Sequence, residues 1–404
     1  MKENIVIIGT SIAGFHTAKA LRKEGYTGSI TLVGQQSTLP YDLLPLSKKW
    51  MQTMEDETPP LLATETYYSD EKINLKLQTK VTQIHPESKT IQTDQGETLP
   101  YDKLVIAIGS TLRTLNAPGV DANHIFYLRD YNHALKIKEQ AKLAKEVVII
   151  GAGFIGLELA SSFSQIGLKV TVIEHTDSPL GRILGTEASA YFTKMHRNHG
   201  ITLLTSEDVQ EFKKDEQGNV TSAVTVSGKI IPCQMVLIGI GVVPNTSLSH
   251  PDLKVERGIV VNEYGETSIP DIYAAGDCTV WPYQGQTIHV EHWEHARAHG
   301  RAVAKNLMQE KSHVYNVRPY FWTDEYDQTF EYLGHALTWD RILIRGSLEQ
   351  GQFTLAYVDQ ENLPIAILFA NESEKRKEVA AFMDQNRSID EAKFTDPTIP
   401  FSEL

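Results

Sequence analysis

The chain has 404 residues, more than one hydrophobic core ordinarily organises, so two or three domains are expected. With 41% hydrophobic and 22% charged residues the composition is that of a globular protein, and no apolar run is long enough to span a bilayer. A formal net charge of −13 disfavours nonspecific binding to nucleic acid or anionic membrane, and the two cysteines, Cys233 and Cys278, form no CxxC pair and fit a reducing, cytoplasmic setting without structural disulfides.

The N-terminus leads directly into an apolar run at residues 4–8, so no signal peptide is expected. Gly9-Thr10-Ser11-Ile12-Ala13-Gly14 follows, then a helical stretch to Glu24, then a second apolar run ending at Gln35. The pattern is strand, tight turn, helix, strand, polar residue, which is the organisation of a dinucleotide-binding unit. Its wording is loose: Ser11 stands at the second glycine and Gln35 at the acidic position, where it can bond a hydroxyl but brings no charge.

Residues 101–109 read as a strand that stops at a glycine. A second and better nucleotide fingerprint then opens near Glu146, with Val147-Val148-Ile149-Ile150 followed by Gly151-Ala152-Gly153-Phe154-Ile155-Gly156 and, after the run 170–173, by Glu174. Gly151 makes the turn, Gly153 lets a pyrophosphate approach the backbone, and Gly156 lets the helix pack on the strand. The helix N-terminus offers N–H groups and the positive end of its dipole to phosphate. A carboxylate at Glu174 accepts from ribose hydroxyls and repels a 2′-phosphate, which favours NADH over NADPH.

The strand-then-glycine pattern recurs at Met235-Val236-Leu237-Ile238-Gly239-Ile240-Gly241 and at Ile272-Tyr273-Ala274-Ala275-Gly276-Asp277. A helix is expected over 293–308, carrying Arg297, Arg301 and Lys305 on a four-residue spacing. His292, His295 and His299 also have helical spacing, but no acid or thiol completes a ligand set, so no metal site is expected. Beyond Arg318 strand-like runs at 330–333, 341–344, 354–358 and 365–369, then a helix around 373–385, read as a separate α+β domain.

With these pieces in hand, the chain resembles the FAD-dependent NADH:ferredoxin reductases that serve oxygenase systems. The resemblance rests on Leu39-Pro40-Tyr41-Asp42-Leu43-Leu44-Pro45-Leu46-Ser47-Lys48, Ala107-Ile108-Gly109, the mid-chain fingerprint, Gly239 to Asn245, the Gly276-Asp277 strand, Val290-Glu291-His292-Trp293 and Pro319-Tyr320-Phe321-Trp322-Thr323-Asp324, in family order. It covers nearly the whole chain. It departs from the commoner pattern at Ser11, Gln35, Leu43 and Ile108.

The resemblance implies an α/β fold with two Rossmann-like dinucleotide-binding domains. An FAD domain (1–113 and 236–318) would be split by an inserted NAD domain (114–235), with a C-terminal α+β domain at 319–404. The Met235 strand would return to the first domain. Carried over by motif, FAD contacts would be Gly9, Ala13, Gly14, Gln35, Lys48, Val81, Arg129, Asp277 and Trp293, and Gly151, Gly153, Gly156, Glu174 and Gly241 would serve nucleotide binding. Lys48 would point at the reacting edge of the flavin and pair with Glu158, and together they would tune the flavin and orient the hydride donor.

The implied function is hydride transfer from NADH to FAD and release of single electrons to a ferredoxin or rubredoxin-like iron–sulfur carrier, by a monomer or homodimer. Thiol-dependent relatives of this fold need a cysteine in the loop 37–48, which holds Ser37 and Ser47 but no cysteine. Direct reduction of quinone or dioxygen, and a partner-binding flavoprotein of the apoptosis-inducing-factor kind, stay open as alternatives. The Arg297–Arg301–Lys305 stripe is either a landing site for an acidic carrier or a solvated helix face.

Overall fold

The computed structural model describes residues 3–404. The chain forms two compact units, each gathered from separate stretches of sequence. The first comprises Met1–Leu43, Thr58–Thr111 and Val242–Pro319; the second comprises Leu44–Glu57, Leu112–Gly241 and Tyr320–Leu404.

The first unit is built on a five-stranded parallel sheet in the order Ile272–Ala274, Lys103–Ile106, Asn4–Ile8, Ser29–Val33, Ile73–Lys76. Its inner strands are runs of Ile, Val and Leu with both faces covered, as a parallel sheet requires. The Asn4–Ile8 strand lies at the centre, and the helix Ile12–Lys23 leaves directly from its C-terminal end. The helix Trp293–Met308 packs closely against it. A Cβ on Gly300 would sit 2.4 Å from the Ala13 carbonyl oxygen, so only glycine permits that approach. Two three-stranded sheets also belong to this unit, an antiparallel one of Val81–His85, Thr90–Thr93 and Thr98–Pro100 and a mixed one of Ile259–Val260, Thr279–Tyr283 and Gln286–Ile288.

The second unit repeats the plan. Its parallel sheet runs Thr202–Leu204, Lys169–Ile173, Glu146–Ile150, Met235–Ile238, Ile125–Phe126, with the fingerprint strand again central and the helix Phe154–Gln165 leaving its end. A second three-stranded antiparallel sheet follows, Val209–Lys214, Val220–Thr225 and Ile230–Pro232. The Met235–Ile238 strand therefore corrects the expectation that it returns to the first nucleotide unit: Val147 pairs with Met235 and Ile150 with Ile238 in a parallel ladder. Four consecutive apolar residues suit the interior of either sheet, so composition could not tell them apart.

Also in the second unit, the C-terminal segment forms a five-stranded antiparallel sheet in the order Tyr320–Glu325, Gln328–Gly334, Pro364–Ala370, Gln352–Val358, Arg341–Ser347. The helix Arg376–Asp384 packs Val379, Phe382 and Met383 into its core. The tail is gripped by buried Arg345, whose guanidinium donates to the carbonyls of Phe394 (2.9 Å), Asp396 (2.6 Å), Pro397 (3.2 Å) and Ile399 (2.5 Å).

The short segment Leu44–Glu57 is fixed within this unit by Lys138 of the helix Tyr131–Ala141. Its fully buried ammonium donates to the carbonyls of Thr53 (3.0 Å) and Asp56 (2.6 Å) and lies 3.4 Å from the centre of the Trp50 ring. Burial pushes its pKa down to about 8. No helix of the described residues is long and apolar enough to cross a membrane.

Candidate functional site

The two glycine turns show why their sequences are as they are. At Gly151 the backbone takes φ +99°, and a Cβ there would meet the Gly239 carbonyl oxygen at 2.5 Å. At Gly9, with φ +113°, a Cβ would meet the Ala107 carbonyl oxygen at 2.0 Å. Both positions require glycine for conformation and for space. Gly153 is different. It has an ordinary φ of −80°, and a Cβ there would meet nothing within 4 Å. The fold does not need glycine at 153, whereas a ligand approaching the backbone does.

Gly153 and Ser11 are the N-cap residues of the two fingerprint helices, and neither supplies a side-chain cap. The N–H groups of both first turns are thus available to a phosphate. The turns fit a dinucleotide on these grounds. Ser11, placed where a second glycine stands in the stricter fingerprint, keeps the backbone extended.

Glu174 ends the Lys169–Ile173 strand. Its carboxylate accepts from the Ala152 N–H at 2.6 Å, from the Thr176 N–H at 2.8 Å and from the Thr176 hydroxyl at 2.6 Å. These bonds fix the carboxylate beside the glycine turn, a placement that suits ribose hydroxyls better than a phosphate. Gly241 lies in the left-handed region at φ +92°, and its carbonyl accepts from the Arg113 N–H at 3.0 Å.

In the first unit, Gly14 sits in the first turn of the Ile12–Lys23 helix and Ala13 is buried beneath the Trp293–Met308 helix. Gln35 is exposed beyond the second strand, and Val81 is buried at the start of the antiparallel sheet. Asp277 follows Gly276, which has φ +79°, and accepts from the Ser110 hydroxyl at 3.4 Å. Trp293 begins its helix, donates from Nε1 to Asp42 at 3.1 Å and meets the His16 ring edge-on. Lys48 and Arg129, the remaining two expected FAD contacts, belong to the second unit.

Sequence reasoning missed His16. Burial, reinforced by the nearby cations Arg301, Lys19 and Arg297, holds its pKa down at about 3, so it stays neutral at physiological pH. His295 and His299, spaced like metal ligands, are instead core aromatics. His295 stacks on Trp281 with ring centroids 4.0 Å apart, and His299 stacks on Tyr315 at 4.5 Å. The basic stripe is not three independent charges either, since Arg297 is engaged by Glu294 of its own helix at 2.8 and 2.5 Å. A surface group, Glu87, His250 and Asp252, brings its carboxylate and imidazole atoms within 4.8 Å of one another, an arrangement that exposed ion pairing accounts for.

The second unit gathers a denser polar cluster around Glu158, in the second turn of the Phe154–Gln165 helix. Its carboxylate is buried. Oε1 lies 3.4 Å from Lys48 Nζ and accepts from the Thr323 hydroxyl at 2.8 Å, while Oε2 accepts from the Ser47 hydroxyl at 2.5 Å. Desolvation raises the Glu158 pKa, against the opposing pull of Lys48 and of the two hydroxyls, and Glu325 raises it further. Lys48 also bonds Asp324 at 3.0 Å and lies 5.7 Å from the Trp322 ring centre. The structure thus brings Lys48 and Glu158 together as the resemblance implied. It adds Ser47, Thr323 and Glu325, whose signal was present in the sequence: Thr323 and Glu325 alternate with period two in a strand and turn the same way, inward.

Both cysteines are buried and unpaired, and burial pushes each thiol up to about 12. Neither offers a thiolate near neutrality.

Two glycine-turn sheets, an acidic residue beyond one of them, a buried lysine–glutamate pair and no reactive thiol define an oxidoreductase built on two nucleotide-binding sheets. Residues 3–300 match the pyridine nucleotide-disulphide oxidoreductase family and residues 320–404 match the reductase C-terminal family, and the chain belongs to the first and carries the second. It is 34% identical to rhodocoxin reductase of Rhodococcus erythropolis over 87% of this chain and 83% of that one. It is 32% identical to the ferredoxin–NAD(+) reductase component of the p-cumate 2,3-dioxygenase system of Pseudomonas putida, over 99% of this chain and 98% of that one. Among solved structures, the reductase of the covalent putidaredoxin reductase–putidaredoxin complex superposes with a TM-score of 0.94 at 30% identity, covering 99% of this chain and 97% of that one.

Proposed function

We propose that the protein takes hydride from NADH onto FAD and passes electrons singly to a small iron–sulfur carrier of an oxygenase system. FAD supplies the conversion of a two-electron donor into one-electron output, which no side chain here can perform. Gly9, Ala13, Gly14, Gln35, Val81, Asp277 and Trp293 of the first unit hold FAD, and Lys48 and Arg129 are FAD contacts by the resemblance alone. In the second unit, Gly151, Gly153, Gly156, Glu174 and Gly241 hold NADH. Lys48 and Glu158 provide the charge and orientation at which hydride transfer occurs.

The observation that carries this reading is Lys48, paired with buried Glu158, standing in the segment where thiol-dependent relatives need a cysteine, while both cysteines of the chain are buried and held protonated. Electrons must then leave without a sulfur relay. The partner of the putidaredoxin complex supports a small carrier as the acceptor.

Anaerobic stopped-flow mixing of the yellow protein with NADH, followed by titration with iron–sulfur carriers, tests the reading. Rapid bleaching by NADH and stoichiometric reduction of at least one carrier are expected. NADH consumption that is equal with and without every carrier would point instead to a flavoprotein that reduces quinone or dioxygen directly.

A further inference from the structure

The cluster around Glu158 does not end at Thr323. The Thr323 hydroxyl lies 2.8 Å from Glu158 Oε1 and 3.4 Å from Glu325 Oε1. The other oxygen of Glu325 meets His196 Nε2 at 2.7 Å, and His196 Nδ1 meets the Tyr326 hydroxyl at 3.0 Å. Tyr326 is half-buried, and its ring stacks on exposed His199 at 3.5 Å. Thr323, Glu325 and His196 are almost wholly inaccessible, at 1%, 1% and 0% exposure, so bulk water reaches none of them. From Glu158 to the edge of the unit the polar atoms follow one another within hydrogen-bonding range, through a helix, a strand and a second helix.

Two buried carboxylates share one hydroxyl here. Thr323 has a single proton to donate, so it serves Glu158 and Glu325 fully only when one carboxyl is itself protonated and donates to the threonine oxygen. The line is then saturated in two ways, with the extra proton on Glu158 or passed to the Glu325–His196 pair. Burying two acids around one hydroxyl is a costly way to join a helix to a strand. It is well suited to moving a proton.

We propose that Glu158, Thr323, Glu325, His196 and Tyr326 form a buried proton path joining the Lys48–Glu158 pair to the protein surface. The proposal rests on the functional reading above. One NADH and two oxidised one-electron carriers give NAD⁺, two reduced carriers and one proton, and that proton must reach water. Glu158 accepts it as a carboxylate, Thr323 passes a proton on while receiving another, and the Glu325–His196 pair delivers it through Tyr326 to solvent. Thr323, Glu325 and His196 are positioning residues that act through Glu158.

Two measurements test the path. The first needs no turnover: the ring-nitrogen NMR titration of His196 is followed in the purified flavoprotein and in its Glu158→Gln variant. The groups bonded to His196 are Glu325 and Tyr326, with His199 stacked on Tyr326 and Glu158 reached only through Thr323 and Glu325, so a coupled path predicts a displaced titration or an altered ring tautomer in the variant. An unchanged His196 signal would overturn it. The second compares Thr323→Val, nearly equal in volume, with Thr323→Ser. With a pH indicator present, the valine variant is expected to release its proton about tenfold more slowly, or worse, relative to its own rate of flavin bleaching by NADH, and the serine variant to recover. Equal release in all three proteins would overturn the path, as would failure of serine to restore it. If the unsubstituted protein reduces no carrier, the functional reading fails on its own, and the NMR comparison still decides whether Glu158 and His196 are coupled.

Discussion

Buried ionisable side chains behave here according to what surrounds them. Lys138 keeps its charge because two carbonyls and a tryptophan face replace its water, whereas His299 has no such compensation and burial alone drives its pKa down to about 3. The folded state holds His299 neutral, while the unfolded chain protonates it near the ordinary value of 6.5. Its contribution is therefore present above pH 6.5 and is lost progressively as the pH falls towards 3. At pH 5 the loss is about 2 kcal/mol. Denaturant unfolding at pH 7.5 and pH 5 should show this weakening, and His299→Leu, which cannot be protonated, should show less of it. Which histidines are core aromatics was not legible in the sequence, because three- and four-residue spacing suits a ligand set and a buried helix face equally; only the stacking of His295 and His299 on Trp281 and Tyr315 separates the two.

Among the elements, the glycine turns separate what the fold requires from what a ligand requires. Gly151→Ala puts a Cβ 2.5 Å from the Gly239 oxygen at a φ of +99°, so the variant should lose about 1–3 kcal/mol of stability or fail to accumulate. Gly153→Ala meets no protein atom, so its thermal stability should match the parent while KM for NADH rises by about tenfold or more. A KM that stays put in the Gly153 variant would remove the backbone approach from the account. Glu174 ends the neighbouring strand and is tied to that turn by the Ala152 N–H. Glu174→Arg should relax or reverse the preference for NADH over NADPH in paired kcat/KM measurements, and a parent protein that already prefers NADPH would contradict its assigned role.

These turns were legible because each glycine and the terminal acid has its own physical job at a fixed offset. The C-terminal strands were legible from their β-branched and aromatic runs, although the first of them, Tyr320–Glu325, emerged only through its motif. The short antiparallel sheets at 81–100 and 209–232 were not read, since strands of three to six residues leave little periodicity. The sheet to which Met235–Ile238 belongs was hidden for another reason: pairing partners are chosen by long-range packing, and an all-apolar strand carries no record of that choice.

Taken whole, the molecule repeats one solution twice, a parallel sheet whose central strand ends in a glycine turn and a helix, and adds an antiparallel C-terminal sheet that contributes Thr323 and Glu325 to the polar cluster. Family and cofactors were legible because nucleotide recognition is written in local sequence. The buried cluster was only half legible: Lys48 and Glu158 stand in motifs, whereas His196 joins through a fold contact 129 residues away from Glu325. The acceptor lies beyond both, because carrier choice depends on surface shape and charge.

The central claim is that reducing equivalents pass from NADH through FAD to a one-electron carrier with no sulfur participating. The most direct measurement is anaerobic single-turnover reduction of an iron–sulfur carrier by the NADH-reduced protein in which Cys233 and Cys278 are both replaced by serine or alanine. Unchanged electron delivery, two carriers reduced for each NADH, is the predicted result. Loss of carrier reduction in a folded, flavin-loaded double variant would contradict it.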